Sequence, residues 1–214
     1  MIKHIDLPGR LTCPFEGIAF AGSLPILASA DYSGCLRLWD IDVPSPAIPR
    51  RTRIHSLYFL TGNETMVLVV LKDCVEILNS QTGTRKIFLT DIKSVVSSPT
   101  QDLFAFCSTD DTIQFWNGTL TRLIKTFPEF STVFFPKCGT LVVLMSSNKA
   151  LLLEYHALNT QCLIKLPNRW VSKAGPVFTS KAIGIVVEGD EEESNKIWLF
   201  RRDTGEVLAF LVSG

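Results

Sequence analysis

Acid–base chemistry needs an imidazole or a carboxylate held within hydrogen-bond reach of a reacting atom. This chain has three histidines, His4, His55 and His156. His55 opens an apolar run and His156 closes Glu154-Tyr155-His156. Neither lies in an HExxH or GxSxG pattern, and no P-loop or GxGxxG pattern occurs. Asp110-Asp111 are adjacent carboxylates, and their surroundings read as a turn rather than as an acid–base pair. The cysteines stand at 13, 35, 74, 107, 138 and 162 with no CxxC among them. That spacing argues against a zinc site and for buried free thiols in a reducing, intracellular setting, cytoplasmic or nuclear. No catalytic residue, metal or cofactor is therefore expected. Asn63-Glu64-Thr65 and Asn117-Gly118-Thr119 match the glycosylation sequon and are read as chance matches.

Recognition chemistry has better candidates. Leu166–Lys173 places Arg169, Trp170 and Lys173 in one connection, and Trp with Arg is the usual make-up of a binding hot spot. The segment 188–194 carries Glu188, Asp190, Glu191, Glu192 and Glu193, an acidic lip suited to a basic peptide. The bland alternatives are a solvated loop for the acidic run and a plug of packed indole for Trp170. Arg50, Arg51 and Arg53 form a basic cluster without interleaved aromatics, so base stacking is not expected of it.

The elements that must position these residues are short strands. Hydrophobic residues make up 46% of the 214 positions and charged ones 20%, enough for a sizeable core. The formal net charge is +0, so no global field draws nucleic acid or an anionic membrane. The longest apolar run, Met66–Leu71, is far below the roughly 20 residues of a membrane helix. Period-3.6 patterns with caps are absent, while β-branched and aromatic runs recur at Gly17–Phe20, Met66–Leu71, Leu103–Cys107, Leu141–Leu144, Ile183–Val187 and Ile197–Phe200. Turn residues such as Thr82-Gly83, Asn117-Gly118 and Thr204-Gly205 separate them.

The strands repeat. Leu36-Arg37-Leu38-Trp39-Asp40, Val75-Glu76-Ile77-Leu78-Asn79, Ile113-Gln114-Phe115-Trp116-Asn117 and Ile197-Trp198-Leu199-Phe200-Arg201 share one pattern. Leu78 follows Trp39 by 39 residues, Trp116 follows Leu78 by 38, and Phe200 follows Trp116 by 84. The last gap holds one more copy at Leu151–Tyr155, ambiguous in register by one residue. A period near 40 with four short strands is the mark of a propeller blade.

Leu27–Asp40 and Phe104–Asn117 resemble the end of a WD repeat, and the five copies cover almost the whole chain. The resemblance implies an all-β propeller of about five four-stranded blades, either complete or part of a larger seven-bladed one. Blades are expected at about 15–52, 54–91, 92–127, 130–166 and 174–214, with 1–8 an outer strand of a neighbouring blade. In the family, a Gly-His pair, a strand Ser/Thr, a turn Asp and the Trp form a buried polar set. Here Gly-His is missing; the third copy keeps Ser108, Asp110 and Trp116, while the first keeps Trp39 with Ser33 at the Asp position. Phe200 stands for the Trp in the last copy. Blade stability should then rest on apolar packing.

The function this implies is a non-catalytic protein-binding scaffold. Its partners are other proteins, with no membrane and no nucleic acid expected. Three alternatives stay open: a partial propeller completed by a chain that supplies missing blades, an RNA or phosphopeptide reader using Arg50, Arg51, Arg53 and Arg169, and a propeller enzyme built around His55 or His156.

Overall fold

The computed structural model describes residues 15–21, 26–31, 35–40, 44–48, 53–100, 102–136, 140–167, 175–187 and 196–212. Twenty strands and no helix are found among them. Alternating burial along the strands explains why they form: β-branched and aromatic side chains pack on a pleated surface buried on one or both faces.

The strands assemble into five four-stranded sheets, each made of consecutive strands. Sheet one holds β1 (Phe15–Phe20), β2 (Ile26–Asp31), β3 (Leu36–Asp40) and β4 (Pro44–Ile48). Sheet two holds β5 (Ile54–Leu60), β6 (Asn63–Leu71), β7 (Cys74–Asn79) and β8 (Arg85–Thr90). Sheet three holds β9 (Ile92–Ser97), β10 (Leu103–Ser108), β11 (Thr112–Asn117) and β12 (Leu123–Pro128). Sheet four holds β13 (Thr132–Phe134), β14 (Leu141–Met145), β15 (Lys149–Glu154) and β16 (Thr160–Lys165). Sheet five holds β17 (Val177–Phe178), β18 (Ala182–Val187), β19 (Lys196–Arg201) and β20 (Val207–Val212). Residues 1–8 lie outside the described part. The proline-bearing β4 runs along a sheet edge, where a missing N–H is tolerated.

Pairing settles the register of the fourth repeat. Leu27 faces Trp39, Val67 faces Leu78 and Ile183 faces Phe200. In sheet four the corresponding pair is Val142 with Leu153, so Leu153 occupies the Trp position.

The turn after the third strand recurs. Gly83 N–H donates to the Asn79 carbonyl at 2.9 Å and Gly205 N–H to the Arg201 carbonyl at 2.8 Å, each glycine in the left-handed region at φ 70° and 72°. Leu158 takes that place in sheet four, with its N–H on the Glu154 carbonyl at 2.8 Å and φ 52°. A side chain there costs backbone strain, which burial of Leu158 to 1% exposure offsets.

The chain packs as two compact units, Met1–Thr109 with Phe115–Ile124, and Asp110–Gln114 with Lys125–Gly214. In the first, Ala28, Leu36 and Leu38 of sheet one meet Ile54, Leu57, Val67 and Leu78 of sheet two. Leu68 and Val70 of sheet two then meet Phe104 and Phe106 of sheet three. In the second, Val143, Met145 and Leu152 of sheet four meet Ile183, Ile185 and Phe200 of sheet five.

Candidate functional site

The connections between strands carry the functional candidates, and backbone hydrogen bonds hold those connections. Asp91 follows β8; its N–H donates to the Asp73 carbonyl at 2.9 Å, and its own carbonyl accepts the Thr109 N–H at 2.8 Å. Phe130 follows β12 and donates to the Asp111 carbonyl at 2.9 Å. Leu166 follows β16 and donates to the Asn148 carbonyl at 2.8 Å. In each case the segment leaving a sheet is tied to the turn between that sheet's second and third strands. Backbone donors are satisfied locally, so these loops start from fixed points.

Arg169, Trp170 and Lys173 lie outside the described residues, as do Glu188, Asp190, Glu191, Glu192 and Glu193. Their flanks are described: Pro167 precedes the first group, and Val187 of β18 and Lys196 of β19 border the second. Arg50 and Arg51 also fall outside, while Arg53 is exposed just before β5. His55 is exposed on β5, and His156 is exposed with its ring edge-on to Tyr155 at 5.2 Å between centroids. Among the described residues no group of three His, Cys, Asp or Glu is placed to hold a metal ion.

The blade anchors differ from sheet to sheet. The Trp39 indole N–H donates to Ser29 Oγ at 2.9 Å inside the protein, with Ser29 and Trp39 3% and 7% exposed. Asp31, buried, closes the next turn: its Oδ1 accepts the Cys35 N–H at 3.0 Å, and Arg37 lies 3.9 Å from its Oδ2. Ser33, expected at the turn Asp position, lies outside the described residues; the buried carboxylate of this repeat is Asp31, two residues earlier. The missed signal was spacing, since Ser29 precedes Trp39 by ten residues.

In sheet three the same ten-residue offset from Trp116 falls on Phe106, which is fully buried. Ser108 is buried at the end of β10, and exposed Asp110 accepts the Thr112 N–H at 3.2 Å. Trp116 is half-buried and meets Phe88 edge-on at 4.9 Å, and Phe88 lies 5.7 Å from Phe106. Phe200 is fully buried in sheet five, 6.4 Å from the Trp198 ring.

Electrostatic effects are small and local. The Lys149 ammonium hydrogen-bonded to exposed Glu129 holds that carboxyl below the usual range. Burial pushes the Cys162 thiol up, and the negative charge of Asp203 adds to it.

Comparison with known proteins agrees with this geometry. A family model described as WD domain, G-beta repeat matches residues 79–117. Among curated proteins none matches by sequence. The β-propeller domain of Cps50 (Swd1) from Myceliophteria thermophila superposes with a TM-score of 0.57 at 10% identity, over 94% of this chain and 74% of that one. The computationally designed Ika8 protein gives 0.57 at 15% identity, over 92% of this chain and 61% of its own. BamB from Moraxella catarrhalis gives 0.66 at 11% identity, over 95% of this chain and 63% of its own. The chain thus spans less than two thirds of the length of the last two structures. Five four-stranded meanders and these structural neighbours give the chain a β-propeller fold, and residues 79–117 are similar to a WD repeat.

Proposed function

We propose that this chain is a non-catalytic scaffold that presents loops between its blades to protein partners. The supporting observation is the repeated clasp of Asp91 on Asp73, Phe130 on Asp111 and Leu166 on Asn148, which fixes where each connecting loop begins. A loop on a rigid base loses little conformational freedom when it binds. On this reading the connection with Arg169, Trp170 and Lys173 and the acidic segment 188–193 supply the contacts. The test is affinity purification from cells, comparing the native chain with Trp170→Ala and with Glu191→Lys/Glu192→Lys. A defined set of proteins should be lost from the variants while their thermal midpoints stay within a few degrees. Retention of the same set by both variants would sink this assignment of the contacts.

A second reading rests on sheet five. One of its faces packs on sheet four through Ile183, Ile185 and Phe200. The other carries Val177, Ile197 and Leu211, which are 63%, 37% and 55% exposed. A Cβ placed on Gly184 of that face would meet Val177, Leu199 and Ile197, so these side chains form one apolar surface. Such a surface fits a further apolar β-sheet. Light scattering on the purified chain distinguishes the two: a stable 23.8 kDa monomer argues against this reading, and self-association relieved by Leu211→Lys supports it.

A further inference from the structure

At the ends of β18 and β19 opposite the segment 188–195, cations gather in a cleft between sheets four and five. The local sequence builds it. Thr179 Oγ1 accepts the N–H groups of Lys181 and Ala182 at 3.3 and 2.9 Å, which shapes the turn between β17 and β18. The Arg202 N–H donates to the Lys181 carbonyl at 3.0 Å and clips that turn to the one between β19 and β20. Gly205 lets the second turn lie hard against β16: a Cβ there would stand 2.7 Å from Cys162 Sγ and 3.2 Å from the Leu163 carbonyl oxygen. Arg202 Nη2 reaches Thr140 Oγ1 of sheet four at 3.3 Å, which orients the guanidinium across the cleft.

The cavity holds about 430 Å³ and is lined by Gln161, Ser180, Lys181, Arg201, Arg202 and Asp203. Donors dominate this lining, since an ammonium offers three N–H groups and each guanidinium five, against the single carboxylate of Asp203. Arg201 Nε lies 3.8 Å from Glu206 with both side chains at least half exposed, a pairing weak enough to leave the guanidinium available to a ligand. Two guanidiniums and an ammonium lining one cavity suit a dianionic tetrahedral oxyanion better than a single carboxylate. The volume exceeds what a bare ion fills, and Asp203 can accept a hydrogen bond from a hydroxyl or amino group on the ligand's organic part.

We propose that this cleft is a binding site for a phosphate monoester, gripped by Lys181, Arg201 and Arg202. It does not depend on the assignment of the partner-binding residues. The experiment is calorimetric titration of the full chain with inorganic phosphate, O-phosphoserine and a short phosphoserine peptide, at low and moderate salt. Saturable binding is expected, weakened roughly tenfold by Lys181→Ala/Arg202→Ala and strengthened a few-fold towards inorganic phosphate by Asp203→Asn. The Asp203 variant keeps the test sound if the double variant folds poorly. Tighter binding of the peptide than of free phosphoserine assigns the phosphate to a modified protein side chain; equal binding assigns it to a soluble monoester. Absence of saturable phosphate binding, unchanged affinity in both variants, or tighter binding of an oligouridylate overturns the proposal.

Discussion

Blade one and blade three differ in what stands ten residues before the Trp of the third strand. Each must anchor a Trp at the end of its third strand. In blade one the residue ten positions earlier is Ser29, and its hydroxyl accepts the Trp39 indole N–H in a buried site. In blade three that offset is Phe106, which has no hydroxyl, and Trp116 meets Phe88 edge-on, with Phe88 in turn beside Phe106. A buried hydrogen bond contributes a modest net stabilisation but is costly to break from one side only. A buried ring contributes through area and close packing. Divergent repeats can therefore keep the blade geometry while this position changes from a polar partner to a buried ring.

The largest expected effect sharpens the apolar side of this contrast. Phe106→Ala should destabilise by about 3–5 kcal/mol, because a fully buried ring leaves a cavity. Urea unfolding measures it, and a loss under about 1 kcal/mol would remove blade three's core from the argument. Asp31→Ala should cost about 1–3 kcal/mol, since the Cys35 N–H loses its acceptor and Arg37 its ion-pair partner. Ser29→Ala should cost about 1–2 kcal/mol by leaving the Trp39 N–H unpaired. Combined with Trp39→Phe it should show a coupling of about 1 kcal/mol in a double-mutant cycle, and strict additivity would mean the hydrogen bond is energetically silent. Asp110→Ala should change stability by less than about 0.5 kcal/mol, since its carboxylate is exposed. A loss as large as that of Asp31→Ala would erase the distinction between the two blades.

The architecture was readable because strand period and turn residues are local properties. Trp39, Leu78 and Trp116 recur near every 40 residues and Phe200 follows about two periods on, with turn residues such as Thr82-Gly83, Asn117-Gly118 and Thr204-Gly205 after the later ones. The fourth repeat resisted because Leu151-Leu152-Leu153 are alike, and only pairing of Val142 with Leu153 separates the registers. Asp31 was hidden because its role depends on where the hairpin turns, not on residue type. The cleft of Lys181 and Arg202 was illegible for another reason: Thr140, Gln161, Lys181 and Arg202 lie on four separate connections or strands, and only folding brings them together. The acidic and Trp–Arg candidates came from composition and lie outside the described residues.

Every sheet here is a meander in which each strand pairs with its neighbour in sequence. Strand pairing within each sheet is thus between sequence neighbours, with short loops to close before a strand finds its partner. Folding can begin in any one sheet and spread to the next, as in other repeat arrays. A lesion in one blade should then show first as faster local opening and amide exchange in that blade, well before the chain as a whole loses its fold.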